Sequence, residues 1–97
     1  MKNSLSILGK KWVKQILILL SKYEEVNFSK IITSLNITTK VLSERLNLLR
    51  SYGLIKRHLK ENRSTHYSLT EKGKEIVELI KKMDQILEEK EQKNKNH

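Results

Sequence analysis

Between Lys56 and His66 the chain reads KRHLKENRSTH, with four permanent cations and two imidazoles against the single acid Glu61. Lys56, Arg57, His58, Lys60, Asn62, Arg63 and His66 are the side chains here able to meet an anion. Phosphate oxygens attract such a cluster whatever the nucleotide sequence, because neutralising them releases condensed counterions. A second set lies just upstream: Thr39, Lys40, Ser43, Glu44, Asn47 and Arg50. Asparagine pairs bidentately with adenine, serine and threonine bond to any base, and a carboxylate accepts from cytosine N4. Glu44 is the least favourable of these, since a carboxylate near phosphates is otherwise repelled. One set neutralises a backbone and the other offers hydrogen bonds to base edges. That is the chemistry of holding duplex DNA.

Both sets need scaffolds, and the sequence supplies them. Leu42, Leu46 and Leu49 recur at helical spacing, so residues 38–53 read as an amphipathic helix with its polar face opposite. Thr38 or Thr39 can cap its start. Gly53 takes the left-handed position at its end, and Leu54 packs back on Leu49 as in a Schellman motif. Ile55–Leu59 and Ser64–Leu69 alternate with period two around the polar turn Glu61-Asn62-Arg63, which predicts a two-stranded hairpin. Phe28, Ile31, Ile32 and Leu35 mark a short helix before it, and Asn36-Ile37 the turn between the two helices. Glu24–Asn27 reads as a brief edge strand completing a three-stranded sheet.

Two further helices flank this centre. Residues 6–22 carry the stripe Leu8, Trp12, Ile16 and Leu19, but Val13, Leu17, Ile18 and Leu20 widen it beyond one face. Thr70 caps a last helix, with Glu71 near its positive end. Its seam is Ile76, Ile80, Met83 and Leu87, widened by Leu79 and Ile86. After Glu88 the sequence is polar and aperiodic and is expected to fray. The apolar surplus on both outer helices points to a second copy of the chain, with Trp12, Leu17, Ile18, Ile76, Ile80, Met83 and Leu87 at the contact.

Composition narrows the classes. The 97 residues carry a net +9, and the charge is uneven. Residues 26–66 hold eight basic and two acidic side chains, giving +6, whereas 70–91 hold five and seven, giving −2. A basic face on a small domain is an electrostatic footprint for nucleic acid. There is no cysteine, so no disulfide, thiol nucleophile or thiolate metal site. No Gly-rich phosphate loop, catalytic triad spacing or paired carboxylate appears outside the last helix, so no enzyme chemistry and no cofactor are read. His58 and His66 could be cross-strand neighbours and bind a metal, but no third ligand is evident, and no metal site is read. The longest apolar run, Ile16–Leu20, is five residues, far below a membrane span. No secretory signal is visible, and the expected location is cytoplasmic.

The fold these elements define is mainly α with a small antiparallel β-hairpin (α+β). It is a single winged helix-turn-helix over 1–97 with N- and C-terminal dimerisation helices. Its parts are a first helix at 6–22, helix-turn-helix at 28–53, wing at 55–69, last helix at 70–90 and flexible tail at 91–97. Particular segments carry a resemblance to a known group: ILGKKW, NFSKIITSLNITTKVLSERLNLLRSYGLIKR and YSLTEKGKEI. Over roughly residues 7–80 the chain resembles the HxlR-type branch of MarR-like winged-helix transcriptional regulators. The resemblance implies a homodimer, formed by the first and last helices, on an inverted-repeat operator. The chain departs from that group in lacking the cysteine that many members carry before the first helix, which removes thiol-based sensing. It also lacks the cysteine box of metal-sensing repressors, and any small-molecule effector stays open. The expected function is therefore a sequence-specific regulator binding double-stranded DNA. The alternative is a winged-helix module docking protein or RNA in transcription or RNA-processing machinery.

Overall fold

The structure, a computed structural model, describes residues 4–95, with side chains through residue 89. Expectations for residues 1–3 and for the tail residues 96–97 lie outside this range. A 3-10 helix, Ser4–Gly9, leads into α1, Val13–Ser21. The expected continuous helix over 6–22 is therefore broken. Trp12 sits at φ 78, ψ −14, in the left-handed region, and a right-handed helix cannot run through it. Contacts made by the flanking turn impose this break, and periodicity does not report them. Lys10 N–H donates to Ile7 O and Val13 N–H to Lys10 O, both at 3.2 Å. Arg45 Nε donates to Lys11 O at 2.8 Å.

α1 is buried on two sides, but both sides belong to this chain. It packs on the sheet, on α2 (Phe28–Leu35) and on α4 (Glu71–Lys95). Val13, Ile16 and Leu17 are fully buried. Leu17, expected at a subunit contact, is thus a core residue. Its surplus face is covered by the neighbouring helices and sheet, and burial of such a side chain contributes roughly 1.5–3 kcal/mol. Ile18 and Trp12 are half-buried at the rim of the same core.

β1, Val26–Asn27, pairs antiparallel with β3, Thr65–Leu69, which pairs antiparallel with β2, Ile55–Leu59, so the order is β1-β3-β2. The register sets Val26 and Arg57 on either side of Tyr67, and Asn27 and His58 on either side of His66. Alternation sends Val26, Tyr67 and Ile55 to the core. Beyond Ile55 the strand β2 leaves the core, and Leu59 is exposed.

Local chemistry places the helix-turn-helix. Asn27 Oδ1 accepts from Lys30 N–H at 2.7 Å and caps α2. Asn36, at φ 55, ends it in the left-handed conformation that asparagine tolerates. Thr38 rather than Thr39 caps α3, Thr39–Ser51, accepting from Val41 N–H at 3.3 Å. Leu42, Leu46 and Leu49 face the core. At the far end Gly53, at φ 73, donates to Arg50 O, and Leu54 N–H donates to Leu49 O at 3.0 Å. These two bonds are the Schellman pair.

The start of α4 is fastened to this end of α3. Thr70 N–H donates to Leu54 O at 3.0 Å, Thr70 Oγ1 to Gly53 O at 2.6 Å, and Lys72 Nζ to Tyr52 O at 2.9 Å. Thr70 Oγ1 also accepts from Gly73 N–H at 3.0 Å, which caps α4. Gly73 is buried so close to the Leu54 carbonyl that a Cβ would lie 2.1 Å from its oxygen. α4 then runs to Lys95, past its expected end at 90. The extension is made of Glu, Gln and Lys with one Asn, and these straight-chain residues are good helix formers.

Candidate nucleic-acid interface

α3 turns Leu42, Leu46 and Leu49 inward, so its opposite face is fixed. Thr39, Lys40, Glu44, Asn47 and Arg50 are exposed and Ser43 is half-buried. None of these side chains bonds to another described residue. Their donors and acceptors stay available to a partner across the whole helix length. Ser51, at the same end, is closed on its own helix through Leu48 O at 2.7 Å.

The hairpin does not present its seven polar residues as one set. Lys60 N–H donates to Ser64 O and Arg63 N–H to Lys60 O, both at 2.9 Å. That closes a tight turn with Arg63 at φ 69. A three-residue hairpin loop ordinarily has glycine at this left-handed position. Asn62 belongs to the turn: its Oδ1 accepts from Ser64 N–H at 3.1 Å and from Ser64 Oγ at 2.6 Å. Arg57 and Arg63 line an open cleft of about 400 Å³ with Asn27, Phe28, Ser29 and Thr65. Two guanidinium groups there stand beside the N-terminus of α2, whose free amides add to the positive potential. The side chains of Lys56, Arg57 and Arg63 bond to no other described residue.

The other face of the hairpin carries an ion cluster centred on Glu25, just before β1. Lys60 Nζ lies 2.9 Å from Glu25 Oε1, and His66 Nδ1 lies 3.5 Å from the same oxygen. His66 Nε2 meets Ser64 Oγ at 3.1 Å, and His58 Nε2 meets Ser68 Oγ at 2.8 Å. The hydrogen bond and charge of Lys60 hold the Glu25 carboxyl below the ordinary glutamate range, with smaller help from His58 and His66. Lys60 is therefore already paired, and the free cations of the wing are Lys56, Arg57 and Arg63. His58 and His66 are cross-strand partners, the pairing their spacing allowed. Among the described residues no group of three or more His, Cys, Asp or Glu side chains is arranged to hold a metal ion.

Away from both surfaces, α4 leaves a strip uncovered. Leu79, Met83, Ile86 and Leu87 are each at least half exposed, whereas Val77 is buried and Ile76 and Ile80 are half-buried on the chain's own core. Leu8, Gly9, Lys14 and Ile18 form the opposite wall of a trough of about 660 Å³ with Ile80, Met83 and Leu87. Monomeric proteins seldom expose contiguous apolar strips of this kind. No described helix is long and apolar enough to cross a membrane.

A short helix, a tight turn, a longer helix with an unpartnered polar face and a basic two-stranded wing form a winged helix-turn-helix, a DNA-binding fold. The family model for HxlR-like helix-turn-helix proteins matches residues 7–95, and the chain belongs to that family of transcriptional regulators. It follows that the protein is of a regulatory, non-enzymatic type. An uncharacterized protein of Methanocaldococcus jannaschii is 35% identical over 88 residues, which cover 87% of this chain and 72% of that one. The reduced form of the transcriptional regulator YodB from B. subtilis superposes with a TM-score of 0.77 at 27% identity, covering 87% of this chain and 89% of that one. A transcriptional regulator homologue from Pyrococcus horikoshii OT3 shares the fold, with a TM-score of 0.77 at 23% identity and 88% of each chain covered.

Proposed function

We propose that this protein is a homodimeric, sequence-specific regulator that reads an inverted-repeat operator in double-stranded DNA. The observation that carries the reading is the solvent-facing side of α3, where the side chains of Lys40, Glu44, Asn47 and Arg50 bond to no other described residue. In this reading Lys40, Ser43, Glu44 and Asn47 meet base edges, with Thr39 and Arg50 at the two ends of the contact. Arg57 and Arg63 neutralise phosphates from the wing, and Lys56 joins them. A half-site read by one helix is short, so affinity requires two. Copies related by a two-fold axis present α3 about 34–36 Å apart, one turn of the duplex. The uncovered strip of α4 and the trough beside Ile18 supply apolar surface that a two-fold contact would bury.

Selection of bound fragments from a random duplex library tests the DNA half of this reading. The expected product is a palindrome with half-site centres one helical turn apart. Recovery of unrelated sequences, or of single-stranded RNA in a parallel selection, would refute it. Sedimentation tests the other half. Met83 is half exposed in the isolated chain, so Met83→Asp leaves the fold intact and should convert a dimer to monomers of 11.5 kDa. A wild type that is already monomeric at micromolar concentration, yet binds its site tightly, overturns the dimer.

A further inference from the structure

We propose that Arg45 is a positioning residue: by gripping the Lys11 carbonyl it sets the rotation of α3, and it does not itself contact DNA. The assignment rests on the operator-reading role of α3 above. Arg45 lies on the flank of α3, half-buried, between the apolar stripe and the free polar face. Its Nε donates to Lys11 O at 2.8 Å, across 34 residues of sequence. That carbonyl is unusual in its surroundings. The carbonyls of Ile7, Lys10 and Trp12 accept backbone amides of the same turn or of α1. In a continuous helix Lys11 O would point along the axis toward the amide four residues on. The positive φ of Trp12 swings the Lys11–Trp12 peptide away from that direction, and the guanidinium meets it.

A left-handed conformation at a bulky residue is strained and persists only where contacts hold it. Lys11 Nζ stacks 5.5 Å from the centre of the Trp12 ring, and the ring packs on the core. The strained turn is thus a fixed post, and the Arg45 bond ties the flank of α3 to it. The effect on reading follows from helix dimensions. Side-chain tips lie about 5–6 Å from a helix axis, so a rotation of roughly 10° moves them on the order of 1 Å. Hydrogen bonds to base edges tolerate less than that. Loss of the tie therefore loosens base recognition while leaving phosphate contacts almost unaffected.

Arg45→Lys and Arg45→Gln are compared with wild type on the duplex recovered by selection and on the same duplex with scrambled half-sites. Lysine keeps the charge but has no Nε–H aimed back at the turn, and glutamine removes the charge. The expected result is a roughly tenfold fall in the specific to non-specific affinity ratio for both variants, the factor for one charge-assisted hydrogen bond. The salt slope on the scrambled duplex stays unchanged, and emission from Trp12, the chain's one tryptophan, shifts in the free protein. If Arg45→Lys keeps the ratio and Arg45→Gln lowers the salt slope by about one, Arg45 is a phosphate contact and the proposal falls. Unchanged ratio and emission in both variants also overturn it. Should a variant not fold, the wild type decides through exchange of the Arg45 Nε–H in NMR spectra. Slow exchange in the free protein supports the tie, and protection that arises only on adding DNA refutes it. A wild type that selects no sequence defeats the regulator reading, while Trp12 emission and Nε–H exchange still judge the tie.

Discussion

Gly73→Ala sets two effects of opposite sign against each other, and the structure says which wins. Gly73 is the third residue of α4, and in an exposed helix alanine would be favoured by about 0.8–1 kcal/mol. Here the added methyl lies 2.1 Å from Leu54 O and 3.1 Å from Leu54 C. The neighbour is backbone, so no side-chain rotation relieves the contact. The carbonyl must retreat by about 0.9 Å to reach even 3.0 Å, the shortest separation real Cβ atoms show. That movement pulls on the bonds from Thr70 to Leu54 O and Gly53 O, each contributing about 0.5–1.5 kcal/mol. Overpacking adds roughly 1–3 kcal/mol. The net expectation is destabilisation by about 2 kcal/mol, which lowers the Tm of a domain this size by roughly 8–16 °C. Thermal unfolding followed by circular dichroism, at equal protomer concentration, measures it. Two controls bracket the effect. Gly9→Ala meets nothing within 4 Å and should change Tm little. Gly53→Ala has room but keeps φ at +73, costing about 1 kcal/mol. A Gly73→Ala protein as stable as wild type, or more so, would show that the α3–α4 junction is not closed as described.

Further outcomes follow from the interface. Arg63 holds the left-handed turn position with a bulky side chain, so Arg63→Gly should stabilise the fold by up to about 1 kcal/mol while weakening binding to every duplex. Arg63→Ala keeps the strain and should lower the salt slope by about one; an unchanged slope removes this arginine from the phosphate contacts. Glu25→Gln releases Lys60 and should raise affinity for all duplexes with a steeper salt dependence. Because the Glu25 carboxyl is held below its unfolded value, its stabilising contribution is present above the ordinary glutamate pKa. It is lost as pH falls through the lowered folded value, and Glu25→Gln should lack that component in unfolding curves across the acid range. Asn47→Ala should relax preference at one base pair by roughly 1–3 kcal/mol, with non-specific affinity nearly intact. A parallel fall in both would make Asn47 structural.

Elements specified by neighbouring residues are legible in the amino-acid sequence. The leucine spacing of α3, a threonine cap at 38 or 39, the Gly53–Leu54 stop, the alternation of the hairpin and the Thr70 cap all lie within a few residues of what they determine. Features that depend on distant partners are not. The break at Trp12 is held by a bond from Arg45, and the removal of Lys60 from the free cations depends on Glu25, 35 residues away. Leu17 reads the same on paper whether its cover is a partner or its own sheet and helices. The division of the wing into an arginine face and a histidine face was half visible. Period two separates Arg57 from His58, but only the packing shows that α2 stands beside the first and Glu25 beside the second.

The junction between α3 and α4 also makes each long helix a lever with a reading head at its end. Thr70 and Lys72 bond to the carbonyls at the end of α3, and Gly73 packs against that of Leu54, so closely that the two helices must swing together. From Gly73 to Met83 is ten residues, about 15 Å of helix. In a dimer hinged near Met83, a change of 10° in the crossing angle displaces each head by about 2.6 Å over that arm. The rise from one base pair to the next is about 3.4 Å. In such a dimer a small adjustment at the hinge would shift each head by most of a base-pair step, and the spacing of the proposed operator would record the angle at which two copies meet.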